Sequence, residues 1–328
     1  MIRIGLIGAS RIAQEAIIAP ARDIPEVSVD VIAASDLDRA HAYAELHRIP
    51  QALGSYDALI ALEDIDLIYI GLPPHAHKEW AIKAMESGKH VLCEKPLALS
   101  LQDADAMTTC AMQNDRSLIE AFHYRFHPLF IRTMDLVRNK ALGALKSAHG
   151  KFNVPVTFTN REFRYQPEMG GGALMDLGCY PIHWLRSIFG TTPKVMGSEV
   201  TLARYGVDVA TRADLQFDNG ATATIECSMD ESLPNTLDAT LVVKGVDGVL
   251  NVSNPLQPEL GSRLTLDSKS TRLDEQYEGS TFPYQLRYVT QQLRANAPAL
   301  TGGVDAVANM RVIEDIYKKA GHKTHPGI

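Results

Sequence analysis

The first residues of the chain, Met1-Ile2-Arg3-Ile4-Gly5-Leu6-Ile7-Gly8-Ala9-Ser10-Arg11-Ile12-Ala13, combine an apolar run of strand length with a small-residue turn. The turn is a version of G-x-G-x-x-G/A in which Gly8 permits the tight bend, Ala13 permits close helix packing, and Ser10 replaces the middle glycine. A helix that begins here offers backbone N–H groups and a positive dipole end to a pyrophosphate. The pattern indicates either a plain strand-to-helix turn or a dinucleotide site with contacts from Gly8, Ser10, Arg11 and Ile12.

Short apolar runs alternate with longer stretches of helical period from the start of the chain to about residue 122. The runs lie at 2–7, 29–34, 67–70, 90–93 and 117–121. Strands that are buried on both faces and followed by helices are typical of a parallel doubly wound sheet. The sequence therefore predicts an α/β protein in which residues 1–122 form a Rossmann domain that binds NAD or NADP.

The pattern changes in residues 123–328, where longer alternating strands follow a helical segment around 128–140. Strand candidates lie at 148–158, 196–203, 213–217, 221–227 and 240–244, and helix candidates lie at 173–189, 284–296 and 304–320. The turn sequences Asp218-Asn219-Gly220 and Asp247-Gly248 favour hairpins. We therefore expect a C-terminal α+β domain, residues 123–328, with a large, mostly antiparallel sheet.

Composition argues against several kinds of partner. The 328 residues carry a net charge of -7 and no block of Lys or Arg, which argues against a nucleic-acid or membrane partner. The four cysteines are far apart, as is typical of reduced thiols, and no run approaches the roughly 18 apolar residues of a membrane span. We expect a cytoplasmic protein whose partners are a small-molecule substrate and further copies of itself.

The predicted second strand ends at Ser35-Asp36, where a Rossmann domain places the adenosine ribose. A carboxylate at Asp36 can accept from the ribose hydroxyls of NAD and repels a 2′-phosphate. Ser35 with Arg39 or Arg11 instead favours that phosphate, and hence NADP. Asp36 is equally typical of an N-cap for a helix starting near Leu37. The residues leave the choice between the two cofactors open.

Two further segments lie where strands of the predicted sheet end. Pro73 and His77 follow the strand at 67–70, and Glu94-Lys95-Pro96 follows the strand at 90–93. Ligands of doubly wound sheets bind beyond the carboxyl ends of the strands, so Pro73, His77, Glu94 and Lys95 are candidate cofactor contacts. Lys95 is then a cation directed into a cleft, and the alternative is a surface lysine paired with Glu94.

Residues 170–183 read Gly-Gly-Gly-Ala-Leu-Met-Asp-Leu-Gly-Cys-Tyr-Pro-Ile-His. On a helix, Asp176, Tyr180 and His183 lie at i, i+4 and i+7 and share one face. A carboxylate, a phenol and an imidazole together suit proton transfer and hydroxyl binding. The alternatives are a polar stripe that faces solvent and core groups that are satisfied by backbone. The glycine run predicts close approach of a ligand or of another backbone segment.

In combination, these motifs resemble those of the glucose-fructose oxidoreductase and inositol dehydrogenase (Gfo/Idh/MocA) family. The match rests on the Gly8 turn, on Glu94-Lys95-Pro96, on residues 120–128, and on the block at 170–183. The resemblance implies a Rossmann domain, a second domain whose open sheet covers the active site and often builds a dimer, and catalysis by Lys95, Asp176 and Tyr180. Many members have histidine at the position of Tyr180. With tyrosine at this position, the chain resembles the branch of dihydrodiol and D-xylose dehydrogenases, which implies a preference for NADP over NAD.

The resemblance also implies a reaction, a hydride transfer between NAD(P)(H) and a carbon of a sugar, polyol or vicinal diol. Tyr180 would exchange the hydroxyl proton, and Lys95 would stabilise the phenolate, because an ammonium lowers the pKa of tyrosine from its usual value of about 10. Two alternatives share the fold: a glycosidase that uses NAD transiently and a non-catalytic regulator that senses the cofactor. The expected substrate contacts are Lys95, Tyr124, Arg164, Asp176 and His183.

Two further expectations concern metals and assembly. His75 and His77 are two residues apart and His123 and His127 are four apart, but no third ligand stands at a suitable spacing, so no metal is expected. A sheet with one uncovered face tends to be hidden in an oligomer. We therefore expect a homodimer or a dimer of dimers.

Overall fold

The computed structural model describes residues 1–203 and 206–322. The chain divides into two compact units, the first comprising Met1–His123 with Phe282–Val307 and the second comprising Tyr124–Thr281 with the residues from Ala308 onward. The domain limits expected from the sequence, 1–122 and 123–328, stay a prediction, and positions 204–205 and 323–328 lie outside the described residues. Within the described part, no helix is both long enough and apolar enough to span a bilayer.

The first unit contains a six-stranded parallel sheet. Its strands are β1 (Ile2–Ile7), β2 (Val27–Ala33), β3 (Gln51–Leu53), β4 (Leu67–Ile70), β5 (His90–Cys93) and β6 (Leu118–Glu120). They lie in the order β3-β2-β1-β4-β5-β6, and every neighbouring pair is parallel. This is the doubly wound order, so the predicted Rossmann sheet is confirmed. Strand order reverses between β1 and β4, and ligands of this fold bind at such a point.

Helices follow the strands as the sequence predicts, and several begin at a side-chain cap. Ser55 and Ser100 each accept a hydrogen bond from the N–H three residues later, which satisfies one exposed donor of the helix end. The helix after β1 changes to π-helical geometry over Gln14–Ile18. The α-helices are α1 (Arg11–Ala13), α2 (Ala19–Ala21), α3 (Leu37–His47), α4 (Tyr56–Ile60), α5 (His77–Glu86), α6 (Leu101–Gln113), α7 (Pro128–Arg138), α8 (Cys179–Phe189), α9 (Phe282–Ala295) and α10 (Gly303–Lys319).

The second unit contains an eight-stranded sheet in the order β14-β13-β12-β11-β7-β10-β9-β8. Every neighbouring pair is antiparallel except β7 with β10, so the predicted mostly antiparallel sheet is confirmed. The two predicted turn sequences connect β9 to β10 and β11 to β12. The strands are β7 (Leu145–Asn153), β8 (Lys194–Leu202), β9 (Asp208–Gln216), β10 (Thr222–Ser228), β11 (Asp238–Gly245), β12 (Gly248–Ser253), β13 (Ser262–Ser268) and β14 (Arg272–Tyr277).

The two faces of this sheet differ in polarity. On β7 the buried residues alternate with partly exposed ones, and α8 packs on the buried face. A Cβ at Gly150 would lie 2.9 Å from Pro181 Cβ, so this glycine lets α8 approach the sheet closely. The opposite face carries ion pairs such as Lys151 with Asp238, at 2.8 Å. The expected oligomer, in which a second copy of the chain covers one face of this sheet, stays a prediction.

Candidate functional site

The turn after β1 requires glycine for a steric reason. Gly8 has a φ of +96°, and a Cβ there would lie 2.7 Å from Leu72 Cδ2 and 3.2 Å from the Gly71 carbonyl oxygen. Ser10 precedes α1 without capping it, and its Oγ is buried with no hydrogen-bond partner among the described residues. An uncapped helix end next to an unpaired hydroxyl fits the pyrophosphate of a dinucleotide. The predicted contacts Arg11 and Ile12 are the first residues of α1.

The end of β2 carries polar groups that connect it to this turn. The Asp36 carboxylate accepts the Arg39 N–H at 2.9 Å and so caps α3, which is the N-cap alternative. The Arg39 guanidinium donates to the Ala9 carbonyl oxygen at 3.0 Å. The Tyr56 phenol lies close to Ser35 and to the charge of Arg39; burial raises its pKa, and these two neighbours oppose the rise. The structure thus brings Ser35, Arg39 and Tyr56 together beside the Gly8 turn.

His77 connects two loops at the carboxyl edge of the first sheet. Its ring is fully buried, with Nε2 2.7 Å from the Leu72 carbonyl oxygen and Nδ1 3.1 Å from that of Pro96. Burial lowers the pKa of His77 to about 4, so the ring is neutral at pH 7 and donates from one nitrogen only. His77 therefore braces the loop that begins at Pro73 against the loop that follows Lys95, and its predicted cofactor contact stays a prediction.

The Glu94-Lys95-Pro96 segment directly follows β5. The hydroxyl of Tyr69, a fully buried residue of β4, donates to Glu94 Oε1 at 2.8 Å. The Leu97 N–H donates to Glu120 Oε1 at 2.8 Å, and the Lys95–Pro96 peptide bond is cis. The segment is therefore fixed by two carboxylates. Lys95 is partly buried at the strand end, where the sequence places it.

In the second unit, the residues from Leu174 to Phe189 form one continuous helical segment, π-helical over Leu174–Gly178 and α-helical from Cys179. The exposed fractions of Asp176, Tyr180 and His183 are 7%, 5% and 1%. The alternative of a polar stripe that faces solvent is therefore wrong. A carboxylate, a phenol and an imidazole are all shielded here, which is costly unless each has polar partners.

Asp176 forms an ion pair with Arg164, whose Nε lies 2.6 Å from Asp176 Oδ2. The same guanidinium contacts Glu162 Oε1 at 2.9 Å through Nη1. The negative charge of Asp176 raises the pKa of Arg164 well above its usual value, and the charge of Glu162 adds a smaller increase. A Cβ at Gly171 would lie 2.5 Å from the Arg164 carbonyl oxygen, so the glycine run admits another backbone segment, as predicted. The pair places a permanent positive charge against Asp176.

Aromatic rings surround Tyr180. Phe152 of β7 meets it edge-on with ring centroids 5.5 Å apart, and Tyr124 is tilted against it at 6.0 Å. The Tyr124 hydroxyl is hydrogen-bonded to His183 Nδ1, and both residues are buried. The structure therefore groups Tyr124, His183 and Tyr180 by direct contacts, and it pairs Arg164 with Asp176, which lies on the same helical segment as Tyr180 and His183. Four of these were predicted as substrate contacts, and their roles stay predictions.

Two polar residues, Glu162 beside Arg164 and Tyr56 beside Ser35, were not predicted from the sequence. Glu162 holds Arg164 from two positions earlier, and an acid so close to an arginine in a loop is the signal that could have found it. Tyr56 follows Ser55, the cap of α4, after the short strand β3, and the missed strand hid its position. Within residues 1–203 and 206–322, no three His, Cys, Asp or Glu side chains are grouped as metal ligands.

Comparisons with known proteins identify the family of both units. Residues 2–122 match the oxidoreductase family with an NAD-binding Rossmann fold, and residues 130–251 match the GFO/IDH/MocA C-terminal domain. D-xylose 1-dehydrogenase (NADP(+)) 2 of Haloferax volcanii is 35% identical over 96% of each chain. Trans-1,2-dihydrobenzene-1,2-diol dehydrogenase of Xenopus laevis is 29% identical over 88% of each chain.

A solved structure gives the same result at the level of the fold. A 3-ketoreductase from Actinomadura kijaniata, in complex with NADP and TDP-benzene, superposes with a TM-score of 0.87 at 25% identity over 97% of each chain. The two family models match most of the chain, and the relatives match nearly its whole length. The resemblance found in the motifs is thereby confirmed, and the chain belongs to the Gfo/Idh/MocA family of NAD(P)-dependent oxidoreductases.

Proposed function

We propose that this oxidoreductase transfers a hydride between NADP(H) and a carbinol or carbonyl carbon of a sugar, polyol or vicinal diol. The observation that carries the proposal is the ion pair between the partly exposed Arg164 and the buried Asp176, which lies on the helical segment that also carries Tyr180. A carboxylate and a guanidinium side by side can accept from and donate to neighbouring hydroxyls. Relatives named as dehydrogenases of D-xylose and of a dihydrobenzene diol support this substrate class.

In this proposal Tyr180 exchanges the proton of the reacting hydroxyl. The bound nicotinamide supplies or accepts the hydride. A phenol whose pKa is near its usual value of about 10 is a weak base at neutral pH, so we assign Lys95 to stabilise the phenolate or the developing alkoxide. Tyr180 is held by ring contacts with Phe152 and Tyr124, which fix its orientation.

Asp176 is assigned to substrate orientation. Since Arg164 lies 2.6 Å from its carboxylate, the ionised form is favoured and Asp176 acts as a hydrogen-bond acceptor. Arg164 then donates to a second hydroxyl of the same substrate. Tyr124 and His183 complete the proposed set as a unit, because neither side chain can turn without breaking the hydrogen bond between them.

The proposed preference for NADP rests on the residues beside the Gly8 turn. Ser35, Tyr56 and Arg39 provide two hydroxyls and a guanidinium, which suit a 2′-phosphate. Asp36 is engaged as the cap of α3, which reduces its repulsion of that phosphate. We assign the pyrophosphate to Gly8, Ser10, Arg11 and Ile12, and the nicotinamide half to the loops that contain Pro73, His77, Glu94 and Lys95.

The first test is a fluorescence titration of the purified protein with NADPH and NADH, followed by absorbance assays against aldoses, inositols and vicinal diols. We expect tighter binding of NADPH and turnover of at least one polyol. Binding without turnover on the panel, combined with release of nitrophenol from aryl glycosides, would replace the proposal with the glycosidase alternative. Binding without either reaction would favour the cofactor-sensing alternative.

The second test is Lys95→Met. We expect the affinity for NADPH to change little and turnover to fall by at least about a hundredfold, because a general acid–base system contributes about that much. Lys83→Met is the matched control, since Lys83 lies on α5 in exposed ion pairs with Glu79 and Asp57. Turnover of Lys95→Met near that of Lys83→Met would refute the role assigned to Lys95.

A further inference from the structure

A second buried polar cluster lies at the start of the segment that carries Asp176. Asp208, the first residue of β9, is 0% exposed. Its carboxylate accepts the Leu174 N–H at 2.7 Å, the Thr211 hydroxyl at 2.9 Å and the Tyr317 hydroxyl at 2.7 Å. Burial and the Asp208 charge raise the pKa of Tyr317 well above its usual value, so its hydroxyl remains a donor. The carboxylate therefore connects β9, α10 and the start of the helical segment.

The glycine run makes this connection possible. Gly172 has a φ of +115°, and a Cβ there would lie 2.3 Å from Asp208 Oδ1 and 3.3 Å from the Tyr317 hydroxyl. Two residues further on, the Leu174 N–H reaches the other carboxylate oxygen. The chain therefore approaches Asp208 with its backbone, as only glycine permits. Asp208 takes the place of a side-chain cap at a helix start that has none of its own.

The turn that Asp208 anchors, Leu174–Gly178, sets the position of Asp176 relative to Tyr180. Leu174–Gly178 is π-helical, and a π-helical turn contains one residue more than an α-helical turn can accommodate. If this turn relaxed to an α-helix, residues on its two sides would rotate relative to each other by about 100°. Asp176 lies inside the turn and Tyr180 lies after it, so their relative position depends on how the start of the turn is held.

We propose that Asp208, bonded to Tyr317 and Thr211, is a positioning residue for the reaction, because it fixes Leu174 and so keeps Asp176 and Tyr180 in register. This inference rests on the proposed function for the roles of Asp176 and Tyr180. Asp208 itself touches no reacting atom in this scheme. Its effect is on the rate of the chemical step and not on cofactor affinity.

The test is Tyr317→Phe, which removes one donor to Asp208 and keeps the ring. We expect kcat per NADPH-binding site to fall by about ten- to hundredfold, the effect of a small misplacement of reacting groups, with the Kd for NADPH unchanged. Amide hydrogen exchange at 174–178 should accelerate. Tyr277→Phe is the matched control, because Tyr277 also donates to a carboxylate, that of Glu275 at 2.6 Å, in the same unit.

A second pair of variants keeps the test decisive if Tyr317→Phe folds poorly. Thr211→Val should lower kcat, and Thr211→Ser, which restores the hydroxyl, should recover it. The proposal is overturned if kcat matches that of the control, or if its loss only follows a loss of NADPH-binding sites. If the wild-type protein turns over none of the panel, the proposed function fails separately. In that case amide hydrogen exchange at 174–178 alone tests the role of Asp208. Exchange rates in Tyr317→Phe equal to those in the Tyr277→Phe control would show that Asp208 does not hold the turn.

Discussion

Acid is expected to destabilise the first unit because His77 is buried there as a neutral ring. Burial lowers the pKa of His77 from 6.5 to about 4 in the folded chain. Between these values the unfolded chain binds a proton that the folded chain excludes. The stabilisation by His77 is therefore complete above about pH 6.5 and is lost as the pH falls towards 4. The difference of about 2.5 pH units corresponds to about 3 kcal/mol, at about 1.4 kcal/mol per unit.

The assay is urea unfolding from about pH 7 to about pH 4, followed by tryptophan fluorescence, with Trp80 on the same helix as His77. His77→Gln keeps a donor and cannot gain a proton in this range. The wild-type protein should lose about 3 kcal/mol more than this variant over the range. His75→Gln, a change at an exposed residue two positions earlier, is the control and should follow the wild type. Parallel curves for wild type and His77→Gln would refute the assignment of a buried, neutral ring.

Three further predictions follow from local geometry. Asp36→Ala should cost about 1 kcal/mol through loss of the α3 cap while raising the affinity for NADPH over NADH, as urea unfolding and fluorescence titration would measure. Gly172→Ala should cost about 2 kcal/mol more than Gly190→Ala in urea unfolding, because both have a positive φ but only Gly172 lacks space for a Cβ. Tyr69→Phe should lower the melting temperature and kcat together, since it removes the hydroxyl that holds Glu94 beside Lys95.

The first sheet was predictable because its strands are buried on both faces. The prediction for β2 was 29–34 and the strand is Val27–Ala33, while 117–121 was predicted for β6 and the strand is Leu118–Glu120. The short strand β3 was missed, because three residues at the sheet edge give no periodic signal. Strands β12, β13 and β14 were also missed. β14 alternates exposed and partly buried residues, so its sequence lacks a clear apolar face.

The candidate site was only partly predictable, because its partners are distant in sequence. The spacing of Asp176, Tyr180 and His183 indicated a shared helix, but that argument assumed α-helical geometry and could not show the π-helical turn. Nor does the spacing identify Arg164 as the ion-pair partner of Asp176, since a loop separates the two. The contact between Asp208 and Tyr317 spans 109 positions, and no local pattern reports such a pairing.

The glycine run illustrates how packing and chemistry become linked in this chain. The sequence could not distinguish a ligand from a backbone segment as the group that these glycines admit. In the structure Gly171 makes room for the backbone of Arg164, which precedes it in sequence. Gly172 makes room for the carboxylate of Asp208, which follows it. Arg164 forms an ion pair with the Asp176 carboxylate, while Asp208 accepts a hydrogen bond from the start of the turn that carries Asp176. A side chain at either glycine would displace a group that holds Asp176 or its turn, so we expect Gly171→Ala and Gly172→Ala to shift this carboxylate even though neither changes a polar side chain.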